Sequence, residues 1–148
     1  MKYLVILFSF TFLGAFSSCS VEPSPIDYGS DQCDFCKMGV VDKAHSAQYV
    51  TQKGKQYKYD AIECLIRELN TPDIQESDLA FILVADYSNP GQMIDATKAT
   101  YIICKAIKSP MGANLSAFSK ADDAKATVAE NGGDVYDWAG IKDRILKK

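Results

Sequence analysis

The chain has 148 residues, with 16 basic and 19 acidic side chains, a formal net charge of −3 and a single histidine. That balance leaves no basic stripe for nucleic acid. One histidine without a recognisable nucleophile context gives no sequence case for an enzyme. The length suits one compact domain or two small lobes.

Lys2 precedes an almost wholly apolar run over residues 3–16, and Ser17-Ser18-Cys19 closes it with small residues. The run is shorter than the ~20 residues of a membrane span, so 1–18 reads as a secretory signal peptide. The Cys directly after the small residues is similar to a bacterial lipobox, in which Cys19 is acylated and becomes the new N-terminus. Cleavage removes Lys2 and leaves a balance of 15 − 19 = −4. Residues 19–31, rich in Pro, Ser and Gly, read as a lipidated cysteine with a flexible tether. The globular part is expected over 32–148.

It opens on Cys33-Asp34-Phe35-Cys36-Lys37-Met38-Gly39, three sulfurs within six residues. Thiolate and thioether are soft donors that favour Cu(I) over hard cations. The Met is superfluous for a disulfide or a structural zinc site and useful for monovalent copper. In an exported chain the four cysteines beyond Cys19 would allow two disulfides. Cys33 and Cys36 would close only a tiny loop, however, and Cys64 and Cys104 have no obvious partner.

Residues 39–50 and 56–59 predict a β-hairpin turning near Lys53-Gly54. Asp60 predicts the N-cap of a helix over 61–69, ended by Asn70-Thr71-Pro72. Ile62, Leu65, Ile66 and Leu69 form its apolar stripe, and Cys64 lies on the opposite side, where only a neighbouring lobe could cover it. Residues 79–86 and 99–107 read as buried strands, separated by the Asn89-Pro90-Gly91 turn. A short helix follows over 122–130, then the Asn131-Gly132-Gly133 turn and a last helix over 138–146. His45 reads as structural, Asp137 as an N-cap, and Trp138 with the tyrosines as packing.

A weak internal repeat runs through this layout. Met38-Gly39 leads through Gly54 to Tyr59-Asp60-Ala61 and a helix, and Met111-Gly112 leads through Gly132-Gly133 to Tyr136-Asp137-Trp138-Ala139 and another. The Met-to-Asp separations are 22 and 26 residues. The expectation is an α+β fold of two strand-strand-helix lobes, about 32–72 and 78–148, that could bring Met111 near Cys36 and Met38.

These residues resemble the NosL family, lipoprotein copper chaperones serving nitrous oxide reductase maturation. The resemblance rests on Cys19, the Cys33–Met38 motif, Gln48, Tyr59-Asp60-Ala61-Ile62 and Cys64. In the second half it rests on Ala99-Thr100-Tyr101, Ser109-Pro110-Met111-Gly112, Ala117-Phe118, Ala124 and Gly132-Gly133. Lys37 departs from the pattern, where the family often has Gly. The resemblance implies strand-strand-helix units similar in topology to the metal-handling domain of organomercurial lyase. It also implies copper delivery to a periplasmic component of the maturation machinery, from a lipid anchor facing the periplasm at the outer membrane, with a metal-bridged dimer left open.

Met sulfur carries no proton and binds Cu(I) without competing protonation, whereas a Cys ligand must lose one. The expected ligands are Cys36, Met38 and Met111, with Cys33 a fourth donor or a redox partner; the Ser-Pro-Met-Gly context is what raises Met111 above a packing methionine. The leading competitor is a thiol-disulfide oxidoreductase using Cys33 and Cys36, but that chemistry usually places a helix N-terminus after the first Cys. A structural zinc module would need a second ligand pair, which Cys64 and Cys104 do not supply as Cys-x-x-Cys. Cleavage of an organomercurial rests on fold analogy alone.

Overall fold

The computed structural model describes residues 20–147, so the segment read as a signal peptide and Cys19 lie outside the described residues. β1 (Ala47–Thr51) and β2 (Gln56–Tyr59) form the expected antiparallel hairpin. Gly54 makes the turn at φ +82°, a conformation that costs glycine nothing. The first strand is shorter than 39–50, because Gly39 makes only an isolated bridge to Gln32. Asp42 then accepts the Ala44 N–H in a turn.

Helix α1 (Ile62–Leu69) follows, capped at its end by Asn70. A single 3-10 turn, Glu76–Asp78, leads into β3 (Leu79–Ala85), which pairs antiparallel with β1, and β4 (Met93–Asp95) pairs with β3. The first sheet therefore has the order β2-β1-β3-β4. The second, of order β6-β5-β7, consists of β5 (Thr100–Ile103), β6 (Leu115–Phe118) and β7 (Asp134–Tyr136). Helix α2 (Ala121–Asn131) joins β6 to β7, and α3 (Trp138–Leu146) ends the chain.

Further expectations change. Residues 20–31 are not a free tether: Ile26 and Tyr28 pack against the core, and Gly29 N–H donates to the Val40 carbonyl at 2.9 Å. The strand read over 99–107 stops at Ile103, because Ile107 N–H returns to the Cys104 carbonyl in a turn. The boundary between lobes does not fall at 72–78, since β3 and β4 complete the first sheet and the second begins at Thr100. The two Met-to-Asp frames do not match element for element: the first holds β1 and β2, the second β6, α2 and β7. Both sheets nonetheless place the strand that comes first along the chain between two partners, with the next strand on one side and the strand after the helix on the other.

The two sheets meet around α1, which packs against β1 and β2 and also against β6 and α3. Covered in this way, it buries Glu63 and Cys64 as well as the apolar stripe. A parallel bridge from Asp86 to Ala117 ties the sheets at another point. His45 ties them at a third: its Nδ1 lies 2.8 Å from Asp42 Oδ2 and its Nε2 3.1 Å from Ser116 Oγ. That Asp-His-Ser line is invisible in the sequence. Ser116 is wholly buried, so its hydroxyl is a strut and not a nucleophile.

Candidate metal centre

The Cys33–Met38 loop is fastened at both ends of its turn. Cys33 N–H donates to the Met38 carbonyl at 2.7 Å, and Lys37 N–H to the Cys33 carbonyl at 2.9 Å. Asp34 clamps the loop to β2, donating its N–H to the Lys58 carbonyl and accepting the Lys58 N–H on Oδ2, each at 2.8 Å. Lys37 sits at φ +65°, the left-handed region that glycine enters most cheaply. Its ammonium donates to the Asp34 carbonyl and so holds the turn with a side chain present.

This clamp sets Cys33 and Cys36 against the head of α1. Cys33, Cys36, Asp60 and Cys64 offer ligand atoms that all lie within 4.8 Å of one another. An ion bonded at about 2.3 Å to opposing sulfurs spans about 4.6 Å, so the donors are gathered almost at bonding separation. Cys33 and Cys64 are fully buried, and Cys36 is partly open. All the cysteines of the described residues are free thiols.

Asp60 corrects its sequence reading. It is not the cap of α1: Ala61 holds the N-cap position, with no side-chain cap. Asp60 instead turns into the sulfur cluster, where Oδ1 accepts the Cys36 thiol at 3.4 Å. Its Oδ2 is buried without a hydrogen-bond partner among the described residues. A buried carboxylate oxygen left unpaired is costly; a cation held by the neighbouring thiols would relieve that cost. The Asp137 reading holds, with Oδ1 accepting the Gly140 N–H at 2.7 Å at the head of α3.

The thiols are electrostatically unequal. Cys33 is held down to about 6, first by a hydrogen bond from Cys64 and then by backbone N–H groups, against the opposing effect of burial. Cys36 is pushed up, chiefly by burial. Cys64 is pushed up, first by its hydrogen bond to Cys33 and then by burial. These opposed directions make Cys33 the most readily ionised sulfur of the cluster and keep Cys36 and Cys64 more firmly protonated.

Of the residues singled out in the sequence, Cys33 and Cys36 come together here. Met38 keeps 56 % of its surface exposed at the loop's edge. Met111 is half-buried and packs against the same core as Cys33, Cys36 and Cys64. Cys104 is elsewhere, packed with Ile102, Phe118 and Ala124. Sequence reasoning missed Asp60 and Cys64 as cluster members. The one available signal was Cys64's place off the apolar stripe of its helix.

The sequence profile of the NosL family matches residues 25–146. The chain is 28 % identical to the copper-binding lipoprotein NosL of Stutzerimonas stutzeri over 155 residues, covering 98 % of this chain and 81 % of the relative. Its fold is similar to the crystal structure of the copper chaperone NosL from Shewanella denitrificans, with a TM-score of 0.70 at 21 % identity, over 81 % of this chain and 95 % of that one. Both relatives carry the names of copper-handling proteins and not of enzymes.

Proposed function

The chain belongs to the NosL family, and from that premise we propose that it is a Cu(I) chaperone, lipid-anchored through Cys19 and facing the periplasm at the outer membrane. Its cargo goes to a periplasmic component that assembles the copper centres of nitrous oxide reductase. One observation supports this reading above the others: three free thiols and the Asp60 carboxylate, one oxygen of which has no partner among the described residues, offer ligand atoms within 4.8 Å of one another where the Cys33–Met38 loop meets the head of α1.

In this reading Cys33 and Cys36 bind the ion with Met38 and Met111, and Cys64 and Asp60 join the donor set. The Cys33 thiolate neutralises the charge of Cu(I) without a proton having to leave. The thioethers add soft donors that no pH change can block. Cys36 and Met38, the donors open to solvent, face an incoming acceptor first, and the buried Cys33 and Cys64 keep hold until ligands are exchanged. A disulfide oxidoreductase fits less well. Its exposed cysteine should be the low-pKa nucleophile, whereas here the thiolate is on buried Cys33 and the open Cys36 is shifted upward.

Anaerobic, reducing titration of the soluble chain with Cu(I), Zn(II) and Fe(II) tests the proposal. The expected result is one Cu(I) per chain with zinc competing poorly. Tighter binding of zinc than copper would put a structural zinc site in its place.

A further inference from the structure

Glu63 is an unexpected residue for the middle of a protein core. It lies on α1 beside Cys64 and is wholly buried. One of its oxygens, Oε2, has no hydrogen-bond partner among the described residues. A buried carboxylate is far more costly than an apolar side chain of similar volume unless its hydrogen bonds are used.

Its other oxygen, Oε1, is fully used, and every partner comes from one loop. Oε1 accepts the Ser109 hydroxyl, and it accepts the Ala113 N–H at 3.2 Å. The Ser109 Oγ in turn accepts the Asn114 N–H at 2.9 Å. The loop closes on itself through Gly112 N–H to the Ser109 carbonyl at 3.0 Å, with Gly112 at φ +77° and Asn114 at φ +58°. Met111 is the residue at the centre of this bracketed turn, and it packs on the same core as the cysteines.

Resting on the copper reading above, we infer that Glu63 is a positioning residue: it pins the Ser109–Asn114 turn to α1 so that the Met111 thioether reaches the ion held by Cys33, Cys36 and Cys64. One helix then supplies a thiol directly through Cys64 and, one residue earlier, fixes a donor belonging to the other sheet. Without the link, the thioether is free to leave. Partners that orient a ligand typically carry about 10- to 100-fold of metal affinity. The change Glu63→Gln would keep the Oε1 acceptor, whereas Glu63→Leu would keep the bulk and lose the link.

The test uses selenomethionine-labelled protein in the Met38→Leu background, loaded with one Cu(I) and read at the copper and selenium absorption edges. The reading predicts a copper–selenium contact in Met38→Leu. That contact is lost in Met38→Leu/Glu63→Leu and retained in Met38→Leu/Glu63→Gln. Cu(I) affinity, measured with Met38 intact, should fall about 10- to 100-fold in Glu63→Leu. It should fall no further when Met111→Leu is added, because both changes remove the same contact. Ser109→Ala cuts the link from the loop side and gives the same direction if Glu63→Leu does not fold. If Met111→Leu weakens binding while Glu63→Leu and Ser109→Ala bind as wild type with selenium still on copper, the positioning role is wrong and the copper reading stands. If Met38→Leu shows no copper–selenium contact, Met111 is not a ligand, and both its place in the site and the role of Glu63 fall together.

Discussion

Replacing Cys64 with alanine tests whether the site holds a ready-made thiolate. Cys33 is held down to about 6 from an ordinary 9.0, and the hydrogen bond from Cys64 is the first cause. A hydrogen bond to a charged group contributes about 1.5–3 kcal/mol, and one pKa unit corresponds to about 1.36 kcal/mol. Loss of the Cys64 donor should therefore raise the Cys33 pKa by roughly one to two units. At neutral pH a thiol of pKa about 6 is roughly nine-tenths thiolate, and one of pKa about 8 roughly one-tenth. The burial lost with one heavy atom is about 1 kcal/mol, which added to the lost hydrogen bond stays below the ~5–15 kcal/mol stability of a typical domain, so the variant should fold.

The assay is ultraviolet thiolate absorbance of metal-free, reduced protein, titrated from acid to alkaline pH. Wild type should show a first thiolate step near pH 6, shifted upward in Cys64→Ala and abolished in Cys33→Ser. Cys64→Ser keeps a hydroxyl donor on the same Cβ and should leave the step close to its wild-type position. An unmoved step in Cys64→Ala would refute the reasoning, because Cys33 would then owe its charge to another group. A low step surviving Cys33→Ser would place the thiolate on a different sulfur.

His45→Ala leaves the wholly buried Ser116 hydroxyl and Asp42 without their shared partner; it should cost about 1–3 kcal/mol in urea unfolding while binding Cu(I) in the same ratio, and loss of copper from a folded variant would make His45 a ligand. Cys19→Ala should abolish fatty-acid labelling and move the protein out of the membrane fraction; a variant that still labels and sediments with membranes would overturn the lipobox reading.

Local chemistry fixed much of this chain without help from the fold. The last helix ends where its residues say, because Asp137 supplies its own cap and the apolar positions recur at helical spacing. The hairpin turns at Gly54 for an equally local reason. The Cys33–Met38 motif declares a soft-donor loop on spacing alone. Strands β4, β6 and β7, of three to four residues each, escaped because so short a run shows no readable period. They exist because a neighbouring strand offers its free N–H and C=O groups.

Tertiary structure alone decided which groups complete the site. On an isolated helix Cys64 and Glu63 would face water, and Asp60 would be a plausible cap. Because α1 packs against parts of both sheets, its first turn is buried off the apolar stripe as well, at Glu63 and Cys64. There a thiol and a carboxylate, Cys64 and Asp60, meet the cysteine loop from positions 24 residues or more away in sequence, while a second carboxylate, Glu63, holds the Ser109–Asn114 turn. A sequence records the periodicity of one face; what covers the other face depends on contacts between distant segments. That is the physical reason the first two cysteines could be read from the chain and the partners around them could not.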